Sequence, residues 1–230
     1  MISLKNVTCS LGGQVVLNSV NLTVKSGEAV LLTGANGSGK TTLLRLLNGL
    51  VFPVSGEYRF QGELITASAL RRHRLAKAFH QRLGYVWQNP DAQLFCASVA
   101  EELAFGPWQM GLTAAEVQQR ADDALAMFAL EKLRDKPPYA LSGGEKRRVA
   151  LAAIFTMNPV AWTLDEPESY LDAPGRQQLA AFLQELQAAG KTLIIATHHP
   201  ELFAELDGCE LQLADGHIAA GRFATDWEIF

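Results

Sequence analysis

Apolar residues along this chain follow two alternating patterns, which predict strands and helices in turn. Short apolar runs at 28–33, 83–87, 160–164 and 192–196 are typical of strands buried inside a sheet. Between these runs, apolar residues at helical spacing predict helices at 42–49, within 98–135, after residue 145 and at 173–189. Because strands and helices alternate, the sequence predicts an α/β core with a mostly parallel sheet.

Two regions depart from this alternation. Residues 2–9 and 14–24 read as strands around a Gly-Gly turn, and a short strand follows at 57–60, which predicts an N-terminal antiparallel β subdomain. Residues 98–135 are helical, with a capping box at Thr113, and Pro137-Pro138 ends them. We therefore expect one domain over 1–230, with its core at about 1–90 and 160–230 and an inserted α-helical subdomain at about 91–159. A helix and two short strands around Asp215-Gly216 are expected near the C-terminus.

A glycine-rich stretch lies between the first buried strand and its following helix, and it fits the phosphate-loop pattern G-x-x-x-x-G-K-[ST]. Glycines let successive backbone N–H groups face an anion, and the positive end of the helix dipole points to the same place. Lys40 can reach the β- and γ-phosphates of a nucleotide, and Thr41 offers a hydroxyl to Mg²⁺. The residues expected to bind ATP here are Gly34, Ala35, Asn36, Gly37, Ser38, Gly39, Lys40, Thr41 and Thr42.

Three further strands end in polar side chains, at Gln88, at Asp165-Glu166 and at His198. Ligands of open α/β sheets bind at the carboxyl ends of strands, so we expect these side chains to converge on the phosphate loop. Nucleotide hydrolysis needs a carboxylate for Mg²⁺ and a second one to activate water. We therefore assign Asp165 to the metal and Glu166 to the water.

Composition and charge narrow the partners and the cellular compartment that fit this chain. The 230 residues carry a formal net charge of -4, which gives no general attraction to nucleic acid. Three distant cysteines without CxxC spacing argue for a reducing compartment and against a zinc site. We find no signal peptide and no apolar run long enough to span a bilayer, so we expect a soluble protein that reaches membranes through a partner.

A basic segment at 68–82 leaves two interpretations open. It contains four arginines, one lysine and two histidines, and it could face a partner or a phosphate, or form a solvated helix face. His73, His80 and His217 are expected at the surface, and we assign His199 no role.

The stretch Leu141-Ser142-Gly143-Gly144-Glu145 resembles the signature of ATP-binding-cassette (ABC) ATPases. The other motifs of that family follow in its order over about residues 2–220, with Gln88 as the glutamine loop, 169–172 as the D-loop and His198 as the switch histidine. The resemblance implies catalytic roles for Glu166, His198 and Gln88, and Mg²⁺ ligation by Thr41, Gln88 and Asp165. It also implies a head-to-tail homo- or heterodimer, in which each ATP lies between one phosphate loop and the partner's Ser142, Gly143 and Gly144.

Residues 88–95 and 104–107 are similar to the energy-coupling-factor group of metal-ion and vitamin importers. That similarity implies an ATPase subunit at the cytoplasmic face of a bacterial membrane, with transmembrane subunits as partners and no nucleic acid bound. We expect those subunits to dock on residues 91–108, which carry the large apolar residues Phe95, Leu103, Phe105 and Trp108. The alternatives are a soluble ABC ATPase acting on nucleic acid or the ribosome, and a regulatory module without turnover. The solute cannot be named from this chain.

Two positions depart from the family pattern. The segment Cys9-Ser10-Leu11-Gly12 lacks the usual aromatic that stacks on adenine, so Leu11 or Val16 would contact the base by apolar packing. Tyr170 stands at a D-loop position where smaller residues are usual.

Overall fold

The computed structural model describes residues 1–223, so residues 224–230 of the expected core lie outside the described part. The helices are α1 (Lys40–Leu47), α2 (Ala67–Leu70), α3 (His73–Arg82), α4 (Val99–Met110), α5 (Ala114–Met127), α6 (Gly143–Met157) and α7 (Ala173–Ala188). The strands are β1 (Ile2–Leu11), β2 (Gln14–Val24), β3 (Ala29–Thr33), β4 (Ser55–Phe60), β5 (Glu63–Leu64), β6 (Leu83–Val86), β7 (Ala161–Asp165), β8 (Thr192–Ala196), β9 (Gly208–Ala214) and β10 (His217–Phe223).

These strands form two sheets, and both confirm the predicted fold class. The larger sheet has the order β10-β9-β3-β8-β7-β6, in which only β10 pairs antiparallel. The smaller sheet has the order β2-β1-β4-β5 and is antiparallel throughout. The phosphate loop therefore follows β3, which lies inside the larger sheet between β9 and β8.

The larger sheet is buried on both faces, which explains its continuous apolar strands. In β8, Leu193 and Ile195 pack in one apolar cluster, whereas Ile194 and Ala196 pack in the other, as the two-residue period of a strand requires. The first face carries helices α4–α7, and the second carries α1 and the N-terminal sheet. Both faces are closed, so the sheet can meet ligands only along its edges and strand ends.

The inserted segment is helical as predicted, and its helix starts follow the sequence signals. Capping boxes are present at Thr113 with Glu116 and at Ser142 with Glu145. The apolar positions expected to face the core are buried, namely Val117, Ala121, Ala124, Leu125 and Phe128. The apolar residues at helical spacing therefore face the core, and the capping residues set where each helix begins.

Local boundaries differ from the predictions where polar residues or glycine intervene. The helical region 98–135 is broken at Gly111, whose φ of 86° ends α4. The helix expected after residue 199 is a 3₁₀ turn, Pro200–Phe203, because no apolar stripe of sufficient length follows. β6 ends at Val86 rather than at Trp87, so Gln88 lies in the loop beyond the strand.

The basic segment at 68–82 folds into α2 and α3. Its charged residues Arg71, Arg72, Arg74, Lys77 and Arg82 are exposed, as are His73, His80 and His217. Within residues 1–223, no helix combines the length and the apolar character needed to cross a bilayer.

Candidate functional site

The phosphate loop spans residues 34–39, and two of its glycines cannot be replaced without rearrangement. Gly34 has a φ of 134°, and a Cβ built there would lie 2.2 Å from the carbonyl oxygen of Leu213. Gly39 has a φ of 110°, and its Cβ would lie 2.9 Å from the side chain of Leu17. Both glycines therefore supply a positive φ and a close backbone approach, which together let the loop curl at the start of α1.

The loop is built to hold an anion. The Lys40 ammonium donates to the carbonyl oxygens of Gly34 at 2.8 Å and Ala35 at 3.1 Å, which holds the charge at the loop. Burial lowers the pKa of Lys40, and the nearby carboxylates of Glu166 and Asp165 oppose that shift. Among the described residues the buried hydroxyl of Ser38 has no hydrogen-bond partner. A buried unpaired hydroxyl beside a helix N-terminus is satisfied by a bound phosphate.

Asp165 is the last residue of β7 and is 1% exposed. Burial raises the pKa of its carboxyl group, whereas hydrogen bonds from Thr41 and Tyr85 lower it. The Tyr85 hydroxyl lies 3.4 Å from Asp165 Oδ2. Thr41, Gln88 and Asp165 line one cavity of about 170 Å³, so the structure brings together the three residues predicted to hold a metal.

Glu166 follows directly and points at the switch histidine. Its backbone takes a φ of 46°, and its N–H donates to the carbonyl of Ala196 at 2.8 Å, which fixes the end of β7 against β8. Glu166 Oε1 lies 3.5 Å from His198 Nε2, and Ser169 donates its hydroxyl to Oε2 at 3.3 Å. Two of the three predicted catalytic side chains are therefore in contact.

The signature turn lies apart from this cluster. Ser142 and Gly144 line a separate open cleft of about 620 Å³ together with Tyr170 and Asp172. A Cβ at Gly143 would lie 2.9 Å from the Tyr170 ring, so the turn packs directly on the D-loop. Ser142 caps α6, with its hydroxyl accepting from the N–H of Glu145, and the start of that helix faces the cleft. One chain thus carries two half-sites that do not meet.

One of the two expected adenine contacts, Val16, borders the phosphate loop. The carbonyl oxygen of Val16 lies 3.2 Å from a Cβ built at Gly39, and Leu11 is 38% exposed at the turn before β2. The structure thus places Val16 beside the loop, and contact of either side chain with a base remains a prediction.

Sequence reasoning missed several residues of the site. Tyr85 and Arg45 line the same cavity as Asp165, and Arg45 lies one helical turn after Thr41, a spacing that could have indicated it. Glu168 is 2% exposed, and the hydroxyl of Thr197 donates to one of its carboxylate oxygens. This bond ties the D-loop to the segment that carries His198, and only the folded chain brings the two residues together.

Comparison with known proteins agrees with this geometry. A family model described as ABC transporter matches residues 17–169. The nickel import ATP-binding protein LarO of Lactiplantibacillus plantarum is 49% identical over 199 residues, covering 86% of this chain and 83% of LarO. CbiO1 of Clostridium perfringens, described as part of the ABC transporter complex CbiONQ, superposes with a TM-score of 0.82 at 34% identity over 96% of this chain and 87% of CbiO1. A dimeric ATP-binding cassette in a post-hydrolysis state, bound to ADP and Pi, gives a TM-score of 0.89 at 28% identity over 99% of this chain and 100% of that one.

Proposed function

The chain belongs to the ABC transporter family, and from that premise we propose that it is the ATP-hydrolysing subunit of a nickel or cobalt importer. The observation that carries the proposal is the convergence of the phosphate loop, Asp165, Glu166 and His198 at one edge of the sheet. The solute class comes from the relatives, since LarO is named for nickel import and CbiO of Rhodobacter capsulatus, 44% identical over 85% of this chain and 68% of CbiO, is named for cobalt import. These relatives favour import over action on nucleic acid or the ribosome.

Each polar group then has a task in hydrolysis. Lys40 and the loop N–H groups bind the β- and γ-phosphates and stabilise the charge that develops on them. Glu166 accepts the proton of the water that attacks the γ-phosphorus, while the bond to the β-phosphate oxygen breaks. His198, in contact with Glu166, orients that water and the γ-phosphate.

The oxygen donors of Thr41, Asp165 and Gln88 fit Mg²⁺, which prefers a few protein oxygens together with phosphate. These three residues would hold the ion. Mg²⁺ supplies charge neutralisation for the phosphates when it is bound.

A complete site needs a second copy or a related subunit. Ser142, Gly143 and Gly144 open α6 in a cleft apart from the phosphate loop, so we infer a head-to-tail pair in which that helix start meets the partner's γ-phosphate. ATP would close the pair, and phosphate loss would reopen it.

The segment 91–108 offers a surface for the membrane subunit. Phe95, Phe105 and Trp108 are 66%, 42% and 53% exposed, and the rings of the first two meet edge-on at 4.9 Å between centroids. Leu103 is buried and holds α4 to the core. An exposed aromatic cluster on the segment that follows the Gln88 loop suits an apolar partner, which would place this subunit peripherally on the cytoplasmic face of a bacterial membrane.

Replacement of Lys40 tests whether the phosphate loop binds ATP, on which the proposed function depends. We expect Lys40→Ala to weaken equilibrium binding of labelled ATP by at least about tenfold, since charged hydrogen bonds contribute about 1.5–3 kcal/mol each. Lys191→Ala is the matched control, because Lys191 donates to Asn158 well away from the loop. Binding by Lys40→Ala within a few-fold of the parent would refute the role of Lys40, and nickel or cobalt uptake by the complex with its membrane subunits tests the solute.

A further inference from the structure

Arg147 is a charged side chain with no exposed surface. It lies on α6, five residues after Ser142, and its guanidinium donates to three backbone carbonyls outside that helix. Nη1 reaches the carbonyl oxygen of Trp87 at 2.7 Å, Nη2 reaches that of Gln88, and Nε lies 3.4 Å from that of Ser169. The guanidinium carbon also lies 5.7 Å from the centre of the Tyr170 ring.

A buried guanidinium is costly unless its fork of donors is satisfied. Burial lowers the pKa of Arg147 to about 10, while Tyr170, Glu168, Asp165 and Glu166 oppose that shift, so the group stays charged at neutral pH. An aliphatic residue would avoid desolvating a charge, but it would leave these carbonyls without the donor that Arg147 supplies. The three carbonyl acceptors and the aromatic ring indicate that Arg147 holds together the segments that carry them.

The three segments that Arg147 joins belong to different halves of the reaction site. Gln88 serves the chain's own phosphate loop, while Ser142 and Gly144 face the cleft proposed for the partner's nucleotide. Residues 169 and 170 follow the catalytic pair, and the Tyr170 ring lies against Gly143. The carbonyls of Trp87 and Gln88 lie in the loop after β6, with no strand partner to hold them beyond Val86.

We propose that Arg147 is a positioning residue that ties the Gln88 loop to the signature turn and to the D-loop, so that the two half-sites of one chain move together. Arg147 does not touch the reacting atoms and acts through the backbone of Gln88. The inference rests on the proposed ATPase function, and it adds the physical link by which one nucleotide site would sense the other.

Arg120 on α5 provides a matched control. Its Nη1 donates to the backbone carbonyl of Thr156 at 2.9 Å, and both residues lie within the helical segment. Arg120→Lys therefore loses a guanidinium–carbonyl contact without releasing the Gln88 loop.

A double-mutant cycle on ATP turnover of the full chain tests the link, with Arg147→Lys, Gln88→Ala and their combination. Gln88→Ala alone is expected to lower kcat by up to about 100-fold, the effect of misplacing a positioning group. Arg147→Lys should lower kcat by about tenfold with little change in KM. If Arg147 acts through Gln88, adding Arg147→Lys to Gln88→Ala should cost less than about twofold more.

A merely structural role predicts the opposite outcome. Independent effects would multiply, so the double variant would fall a further tenfold below Gln88→Ala, and this result would overturn the link. Arg120→Lys should retain the parent kcat. Should Arg147→Lys not fold by circular dichroism, Tyr170→Leu, which removes the ring from the guanidinium, enters the same cycle. If the parent chain binds and hydrolyses ATP and the effects in the cycle are additive, only this inference is rejected. If the parent chain shows no ATP turnover, the proposed function is rejected as well.

Discussion

At the scale of single residues, two neighbouring carboxylates have different surroundings, which suit them to the different tasks proposed for them. Asp165 is buried at the strand end beside Thr41 and Tyr85, whereas Glu166 is partly exposed and contacts His198 and Ser169. The buried group suits a fixed cation, and the more open group can exchange a proton with water. The division of roles predicted from the order Asp-Glu thus has a physical basis in burial, and it is open to test.

Glu166→Gln keeps the shape of the side chain and removes its basicity. We expect ATP binding to persist and steady-state hydrolysis to fall by about 10²–10⁴-fold, the range for general-base catalysis. ATP-dependent dimers should then accumulate, as size-exclusion chromatography would reveal. Glu201→Gln is the control, because that exposed carboxylate pairs only with His199 in the described structure. A turnover rate near that of the parent would move the base role to another group.

Asp165→Asn should separate stability from activity. The pKa of Asp165 is raised in the fold, mainly by burial, so its ionised form destabilises the ligand-free protein at neutral pH. The amide removes that cost, and we expect a higher Tm than the parent at pH 7 with loss of Mg²⁺-dependent hydrolysis. The Tm gain should shrink as pH falls through the folded pKa, where the parent carboxyl becomes neutral. A Tm gain that is constant with pH would point to packing instead of charge.

At the scale of elements, sequence reasoning succeeded where burial is complete and failed where polar residues decide. The strands β7 and β8 are mostly apolar and are buried at every position, so their positions were predictable. The end of β6 could not be predicted in this way, because Trp87 is apolar yet 38% exposed. Its N–H donates to the Gln93 side chain instead of to a neighbouring strand. The break at Gly111 was equally hidden, since a single glycine inside a helical pattern has two interpretations.

Ser142→Arg tests the start of α6 as one half of a shared site. The isolated chain should keep its ATP affinity, because Ser142 is remote from the phosphate loop, while ATP-driven dimerisation should be lost to bulk in the cleft. Thr113→Arg is the matched control, since it destroys an equivalent capping box on α5 at a similar cost of about 1 kcal/mol. If monomer affinity collapsed with Ser142→Arg alone, the head-to-tail arrangement would be wrong.

At the scale of the whole molecule, the sequence identified the parts of the site but not their connections. The phosphate loop, Asp165, Glu166 and His198 follow from motifs, because each lies at a strand end that the parallel sheet must bring to one edge. Arg147 and the pairing of Glu168 with Thr197 involve residues far apart in the chain. No local spacing encodes those contacts. The first depends on the packing of α6 against the loops after β6 and β7, and the second on the meeting of the loops after β7 and β8.

The segment that follows the Gln88 loop carries an exposed aromatic surface formed by Phe95, Phe105 and Trp108, and its role in transport can be tested. We expect Phe95→Lys to abolish metal-ion uptake by the reconstituted complex while ATPase activity of the isolated chain survives.

The charge is placed at Phe95 because the neighbouring Leu94 is partly buried against the core. A lysine is chosen because the Glu102 carboxylate accepts from the N–H groups of Phe95 and Cys96 and would repel the negative charge of an aspartate. Val54→Lys is the control, since Val54 is equally exposed at 66% and lies outside residues 91–108. Uptake that survives Phe95→Lys and also survives Trp108→Lys would place the membrane subunit on another surface.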